Sequence, residues 1–184
     1  MPRENISALT ALTAVADGDM LQVRDASAAA VNKSVTVAAL RETMRGGIVT
    51  ITAASDALTR TEHAGRTIVL SASGGIDLTL PEATGSGDVY SFVVGVATAD
   101  AYTIATADPS NCDICGNIVG SNDSDATTVL YRDTDATSLS FGGTSQARGG
   151  SLGDWFELVD IATDLWQLRG AITQGGTEAT PIIA

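Results

Sequence analysis

Cys112-Asp113-Ile114-Cys115 is the one recognisable short chemical motif in this chain. In a thioredoxin-like site, cysteines at that spacing open a helix after a strand, and the helix end lowers the pKa of the first thiol. Here the pair lies between Asp108-Pro109-Ser110-Asn111 and Gly116-Asn117, with strand-like sequence on both sides. No second cysteine pair completes a four-thiolate zinc site, and His63 is the single histidine. Small buried or loop cysteines are therefore the first expectation, with a local disulfide and metal or redox use as the alternatives.

Oxygen ligands are the next possibility. Ser121-Asn122-Asp123-Ser124-Asp125, with Asp133 and Asp135 nearby, resembles a set of hard donors for calcium, yet the glycine and distal glutamate of a calcium loop are missing. Asp and Asn are also good turn residues, and a structural role is expected. His63, in Thr61-Glu62-His63-Ala64-Gly65, reads as part of a turn before a strand. Glu62, Asp77 and Glu82 would give the paired carboxylates of a glycosidase, but an acidic chain offers such pairs anywhere. Gly85-Ser86-Gly87 has no helix after it to receive a phosphate, and Gly153-Asp154-Trp155 lacks the serine of a nucleophile elbow. No catalytic residue, metal site or cofactor is expected. Trp155 and Trp166, in the two strands of the last hairpin, are expected to cap the core or pair across the strands, with a subunit interface or sugar platform as the functional alternative.

The elements that hold these residues are short alternating strands. Gly153 to Asp160 and Leu165 to Gly170 place apolar and polar residues at period two around a short polar turn, as in a hairpin with one dry and one wet face. Ile48 to Ile51, Arg66 to Ser71, Ile76 to Leu80, Val89 to Val96 and Tyr102 to Ala105 read as earlier strands, and Pro81 ends one of them. Asp125 to Val129 and Asp135 to Leu139 repeat one pattern at a spacing of ten, which suits successive antiparallel strands. With 44% hydrophobic residues but only 4% aromatic ones, the expected core is built of small aliphatics. The fold class that follows is mainly β, an antiparallel β-sandwich or jelly-roll-like domain over residues 48–174. Gly142-Gly143 and Gly149-Gly150 flank an expected exposed loop, and residues 175–184 an expected loose tail.

Residues 1–47 differ. Ala16-Asp17-Gly18-Asp19 is a turn, Met20 to Asp25 and Asn32 to Val37 are short strands, and Val37 to Arg45 predicts one short helix ended by Gly46-Gly47. That is too little apolar material for a core, so an N-terminal arm or docking module is expected. Ile6, Leu9, Leu12, Leu21 and Val23 are its candidate docking residues, with Trp155 and Trp166 as candidate interface residues in the β domain.

The net charge of −12 repels phosphate backbones, so no nucleic-acid partner is expected. No apolar run reaches the ~20 residues of a membrane span, so no membrane partner is expected either. Met-Pro-Arg-Glu-Asn shows no basic region leading into an apolar stretch, and synthesis in the cytoplasm without a signal peptide is expected.

Ile6-Ser7-Ala8-Leu9 through Met20-Leu21-Gln22-Val23-Arg24-Asp25, then Lys33 to Val37 and Leu40-Arg41, resembles the N-terminal module of tailed-phage fibre and head-fibre proteins. Gly65 to Leu70, Ile76 to Gly87 and the closing Gly-Asp-Trp hairpin are similar to small β-rich phage virion proteins, including head decoration (cement) proteins. The resemblance implies a non-enzymatic structural protein of the virion. It would be a homotrimer on the capsid surface whose partner is the major capsid protein, docked by the N-terminal segment. The long repetitive shaft of a receptor-binding fibre is absent, which favours decoration. A short head or tail fibre component binding a host glycan is the alternative.

Overall fold

The computed structural model of the protein describes residues 18, 20–24, 32–37, 40, 46–123 and 127–183. The chain divides between Gly46 and Gly47 into two compact units. In the first, Met20–Arg24 (β1) and Asn32–Thr36 (β2) pair antiparallel, Met20 opposite Thr36 and Arg24 opposite Asn32. Val37 and Leu40 are helical, and the rest of the predicted helix lies outside the described residues, as do Ile6, Leu9 and Leu12.

The second unit is mainly β and sandwich-like. Six strands open it: Ile48–Ile51 (β3), Ser55–Ala57 (β4), Thr67–Leu70 (β5), Ile76–Thr79 (β6), Val89–Val94 (β7) and Ala101–Ala105 (β8). Then come Asp113–Asn122 (β9), Thr128–Ala136 (β10), Ser138–Gly142 (β11), Trp155–Ala162 (β12), Leu165–Gln174 (β13) and Ile182–Ile183 (β14). One sheet has the order β10-β9-β13-β12-β7-β5-β3 and the other β14-β11-β8-β6-β4.

The antiparallel expectation holds for only part of this. β3, β5 and β7 run parallel in the seven-stranded sheet, and β4, β6 and β8 run parallel in the five-stranded one. The chain therefore alternates between the sheets, strand by strand, and residues 48–105 wind as a short coil rather than a series of hairpins. Alternation within one strand cannot reveal this, because period two is common to both strand directions. From residue 113 the pattern is mainly antiparallel, with one parallel pair, β9 beside β13.

Local sequence explains the strand positions. In β6, Ile76 and Leu78 face in and Asp77 and Thr79 face out. Leu80 is still buried, but Pro81 has no N–H to continue the ladder. β9 tolerates Gly116 because φ there is +141° and an added Cβ would lie 2.1 Å from the Leu168 carbonyl oxygen of β13. The glycine lets two backbones come into contact where a side chain would separate them.

The two sheets enclose one core, and aromatics lead it. Six of the eight aromatic residues are fully buried: Trp166, Tyr90, Tyr102, Phe92, Phe141 and Phe156. Phe156 stacks on Phe92 of its own sheet at 4.7 Å and on Phe141 of the other at 4.2 Å. Gly170, opposite Phe156, leaves room for that ring, since a Cβ there would come within 2.6 Å of the Phe156 Cβ. The small-aliphatic core expected from composition is thus corrected: aromatics are few, and most of them lie at the centre.

Residues 175–183, expected as part of a loose tail, are held in place. Ile182 is buried and pairs with Leu139 of β11. The buried Gln174 side chain donates to the carbonyls of Ala147 and Ala179 at 2.6 and 2.8 Å and accepts from the Tyr131 hydroxyl at 2.9 Å. That one amide ties the glycine-flanked 142–150 loop, the C-terminal segment and edge strand β10 together. Gly149 and Gly150 are buried, so only part of that loop is exposed. The tenfold echo is also divided differently from the expectation: Asp125 and Ala126 lie outside the described residues, Thr128 and Val129 open β10, and Asp135 to Leu139 cross from the end of β10 into β11, which belongs to the other sheet.

Candidate functional site

The cysteines occupy an extended segment. Cys112 is buried just before β9 and Cys115 is half-buried on the strand, and both are free thiols. Three extended residues span about 10 Å, beyond the reach of a disulfide. Burial pushes the Cys112 thiol above its ordinary range, despite the hydrogen bond to Ala83, which pulls the other way. No helix N-terminus lowers it, so the physical basis of a reactive pair is missing at this position.

The acidic candidates are scattered. Asp133 and Asp135 lie together at the irregular end of β10, where Asp133 accepts from the amides of Thr134 and Asp135 at 2.7 and 3.2 Å. Asp125 lies outside the described residues, and among the described residues no three His, Cys, Asp or Glu side chains group as a metal set. Glu62 belongs to a single helical turn, Arg60–His63, Asp77 faces out from β6, and Glu82 is exposed after Pro81. His63 is buried, and its Nδ1 accepts from the Thr59 amide at 3.0 Å. It braces the helical turn.

Two buried carboxylates do stand out, and both hold backbone. Asp160, 1% exposed, accepts from the amides of Thr84 (3.0 Å), Gly85 (2.6 Å) and Ser86 (3.1 Å) and from the Ser86 hydroxyl (2.7 Å). Burial works to raise its pKa, but these donors together outweigh burial and hold it at about 2. The Gly85-Ser86-Gly87 loop is therefore an anion cradle whose anion is the protein's own carboxylate. Arg60, paired with Asp88, lies 3.9 Å from the same group. Asp154 accepts from Gly150, Ser151 and Thr173 at 2.9, 3.0 and 2.7 Å; burial leaves its pKa raised.

The tryptophans separate. Trp166, expected with Trp155 to cap the core or pair across the strands, or else to mark an interface, is a core residue 1% exposed and meets Tyr90 edge-on at 5.5 Å. The register explains why: Trp155 lies opposite Ala171 and Trp166 opposite Asp160, so the indoles point to opposite faces of the sheet. Trp155 is 45% exposed and borders a depression of about 270 Å³ shared with Ser121, Leu152, Ala171 and Thr173. In the N-terminal unit Leu21 is exposed on β1, and Val23 lies on the same strand.

Trp155 does not stand alone. Following the register outward across the sheet, Leu130 lies beside Val119, Val119 beside Ala171, Ala171 beside Trp155, Trp155 beside Val93, and Val93 beside Val69. The parallel row one step along is polar: Arg132, Asn117, Arg169, Glu157, Ser91 and Thr67. Within it Glu157 bonds Arg169 at 2.6 Å and Ser91 at 3.0 Å. The five-stranded sheet presents a row of small groups outward, Ser55, Asp77, Thr103 and Ser140, with Ile183 the larger apolar side chain in the neighbouring row. Leu130, Val119 and Leu152 are not singled out by the sequence, because their alignment depends on which strands are neighbours.

No protein family, no curated protein and no solved structure matches this chain. Among the described residues, no helix is long and apolar enough to cross a membrane.

Proposed function

We infer that this chain is a non-enzymatic structural protein of a tailed-phage virion that decorates or cements the capsid surface as a homo-oligomer. The observation that carries the reading is the use made of the buried polar groups. Asp154, Asp160, His63 and Gln174 each take backbone groups as partners and brace loops between strands. Such a body is built for rigidity, and it displays two broad sheet faces to its surroundings. The resemblance of the N-terminal segment to phage head-fibre modules supplies the virion and the capsid partner, with three as the expected subunit number. Many weak contacts repeated over a lattice act together through avidity, so modest affinity per site is enough.

The test is cosedimentation of the purified chain with particles stripped of it. Rebinding in multiples of the lattice, with raised heat resistance of the capsid, is the expected result. Unchanged binding after deletion of residues 1–47 would overturn the docking role of that segment.

A second reading, a fibre component that binds a host glycan, draws on Trp155 beside its depression, since an exposed indole is a platform for a sugar ring. Binding confined to one vertex or to the tail, with glycan-dependent quenching of Trp155, would favour it.

A further inference from the structure

We propose that the apolar row on the outer face of the seven-stranded sheet is where copies of this chain contact one another. The proposal takes up the homo-oligomer of the preceding reading and names its contact surface.

The row crosses six strands from Leu130 to Val69 without a polar side chain. Valine facing out from a strand is ordinary. Three larger side chains on this face are not: Leu130 is 60% exposed, Trp155 45% and, just before β12, Leu152 73%. They add nothing to the core, which is closed on the other side of the sheet. Leu152 projects beside the depression bordered by Trp155, so one face carries both a protrusion and a hollow. A protrusion and a hollow on one face give a second copy of the chain something to fit against, whether the two copies meet through the same patch or through its two ends.

Charge selects the occupant. Residues 47–184 hold 17 of the 22 acidic residues and 5 of the 10 basic ones, so the entire net charge of −12 belongs to the β unit. A basic partner would be drawn to carboxylates. This face offers few: in the stripe and the polar row beside it the one acid is Glu157, already paired with Arg169, and Asp154, which lines the depression, is buried and bonded to the amides of Gly150, Ser151 and Thr173. Thr128, Ser121 and Thr173 flank the stripe on the other side. Two copies of so acidic a unit can come together only where carboxylates do not face each other, and the stripe meets that condition. Area agrees as well. Six strands at ~4.8 Å spacing and three rows of outward residues cover on the order of 600 Å². A standard interface uses about 800 Å² per partner.

The experiment is sedimentation of the intact chain at micromolar concentration, for wild type, Trp155→Arg, Leu130→Glu and the control Thr79→Lys on the outer face of the other sheet. Wild type and control should sediment as an oligomer. The two stripe variants should fall toward monomer mass with unchanged circular dichroism, their association weakened at least about 30-fold, as for a buried tryptophan hot spot. If a stripe variant does not fold, the labelling rate of Val119→Cys in a Cys115→Ser background decides: slow in the oligomer and faster on dilution is the expected result, and equal rates would overturn the proposal. A monomeric wild type, or stripe variants that keep the wild-type mass, would also overturn it. Particle binding scored separately keeps the two readings apart: an oligomer through the stripe that ignores capsids removes decoration alone, and a monomer that binds capsids removes the interface alone.

Discussion

Asp160 is ionised while almost fully buried, and its pH behaviour should be visible in the stability of the whole unit. Its pKa is about 2 in the folded chain against an ordinary 3.8, so the cradle contributes about 2 kcal/mol, present in full above pH ~4. That contribution shrinks as pH falls through the folded pKa and is gone below it. Asp160→Asn should lower stability at pH 7 by about 2–4 kcal/mol in urea titrations, and should flatten the loss of stability between pH 4 and 2. Asp154 acts in the opposite sense: its raised pKa favours the protonated form in the folded state, so acid relieves a penalty there. The thiols supply a second test. Air oxidation should leave both titratable after unfolding; Cys115→Ser should be near neutral, whereas Cys112→Ser should cost about 1–2 kcal/mol by leaving a hydroxyl in an apolar site. At this scale the sequence was partly legible: the cysteine pair's lack of a helix could be read from its neighbours. The cradle could not, because Asp160 and Ser86 are 74 positions apart and each looks like a surface residue by itself.

Among the elements, β9 is the one most easily missed. Its ten residues include two glycines, two asparagines and a cysteine, a composition that reads as loop. Neighbours override propensity there, since β9 is flanked by β13 on one side and β10 on the other. Gly116→Ala should therefore be severe: it adds a Cβ against the Leu168 carbonyl and strains a positive φ, and a loss of roughly 3 kcal/mol or outright insolubility on expression is expected. Phe156→Ala should cost about 3–5 kcal/mol in chemical denaturation, because that ring joins the two sheets. The closing hairpin β12–β13 was legible, since both its strands alternate cleanly and the polar turn holds Asp164 at φ 59°. The coil of β3 to β8 was not, because strand direction leaves no mark on alternation.

For the whole molecule, the buried cluster formed by the described residues runs from Ile51 to Ile182 within the second unit, so a fragment beginning at Gly47 should unfold cooperatively with a melting temperature within a few degrees of the full chain. Calorimetry on both would check it. Class and sandwich-like architecture were legible from strand rhythm; the apolar stripe was not, since it exists only across strands that are distant in the chain. That same separation bears on how the protein is made. β7 closes against β12, whose Glu157 lies 66 positions after Ser91, so the ribosome completes the parallel coil long before the strands that cover it. At 5–20 residues per second the nascent coil waits several seconds with Tyr90 and Phe92 unroofed and one strand edge open. Yield in the cell then depends on a race between translation of the last third and self-association of the 48–105 coil, and slower elongation would favour the aggregate.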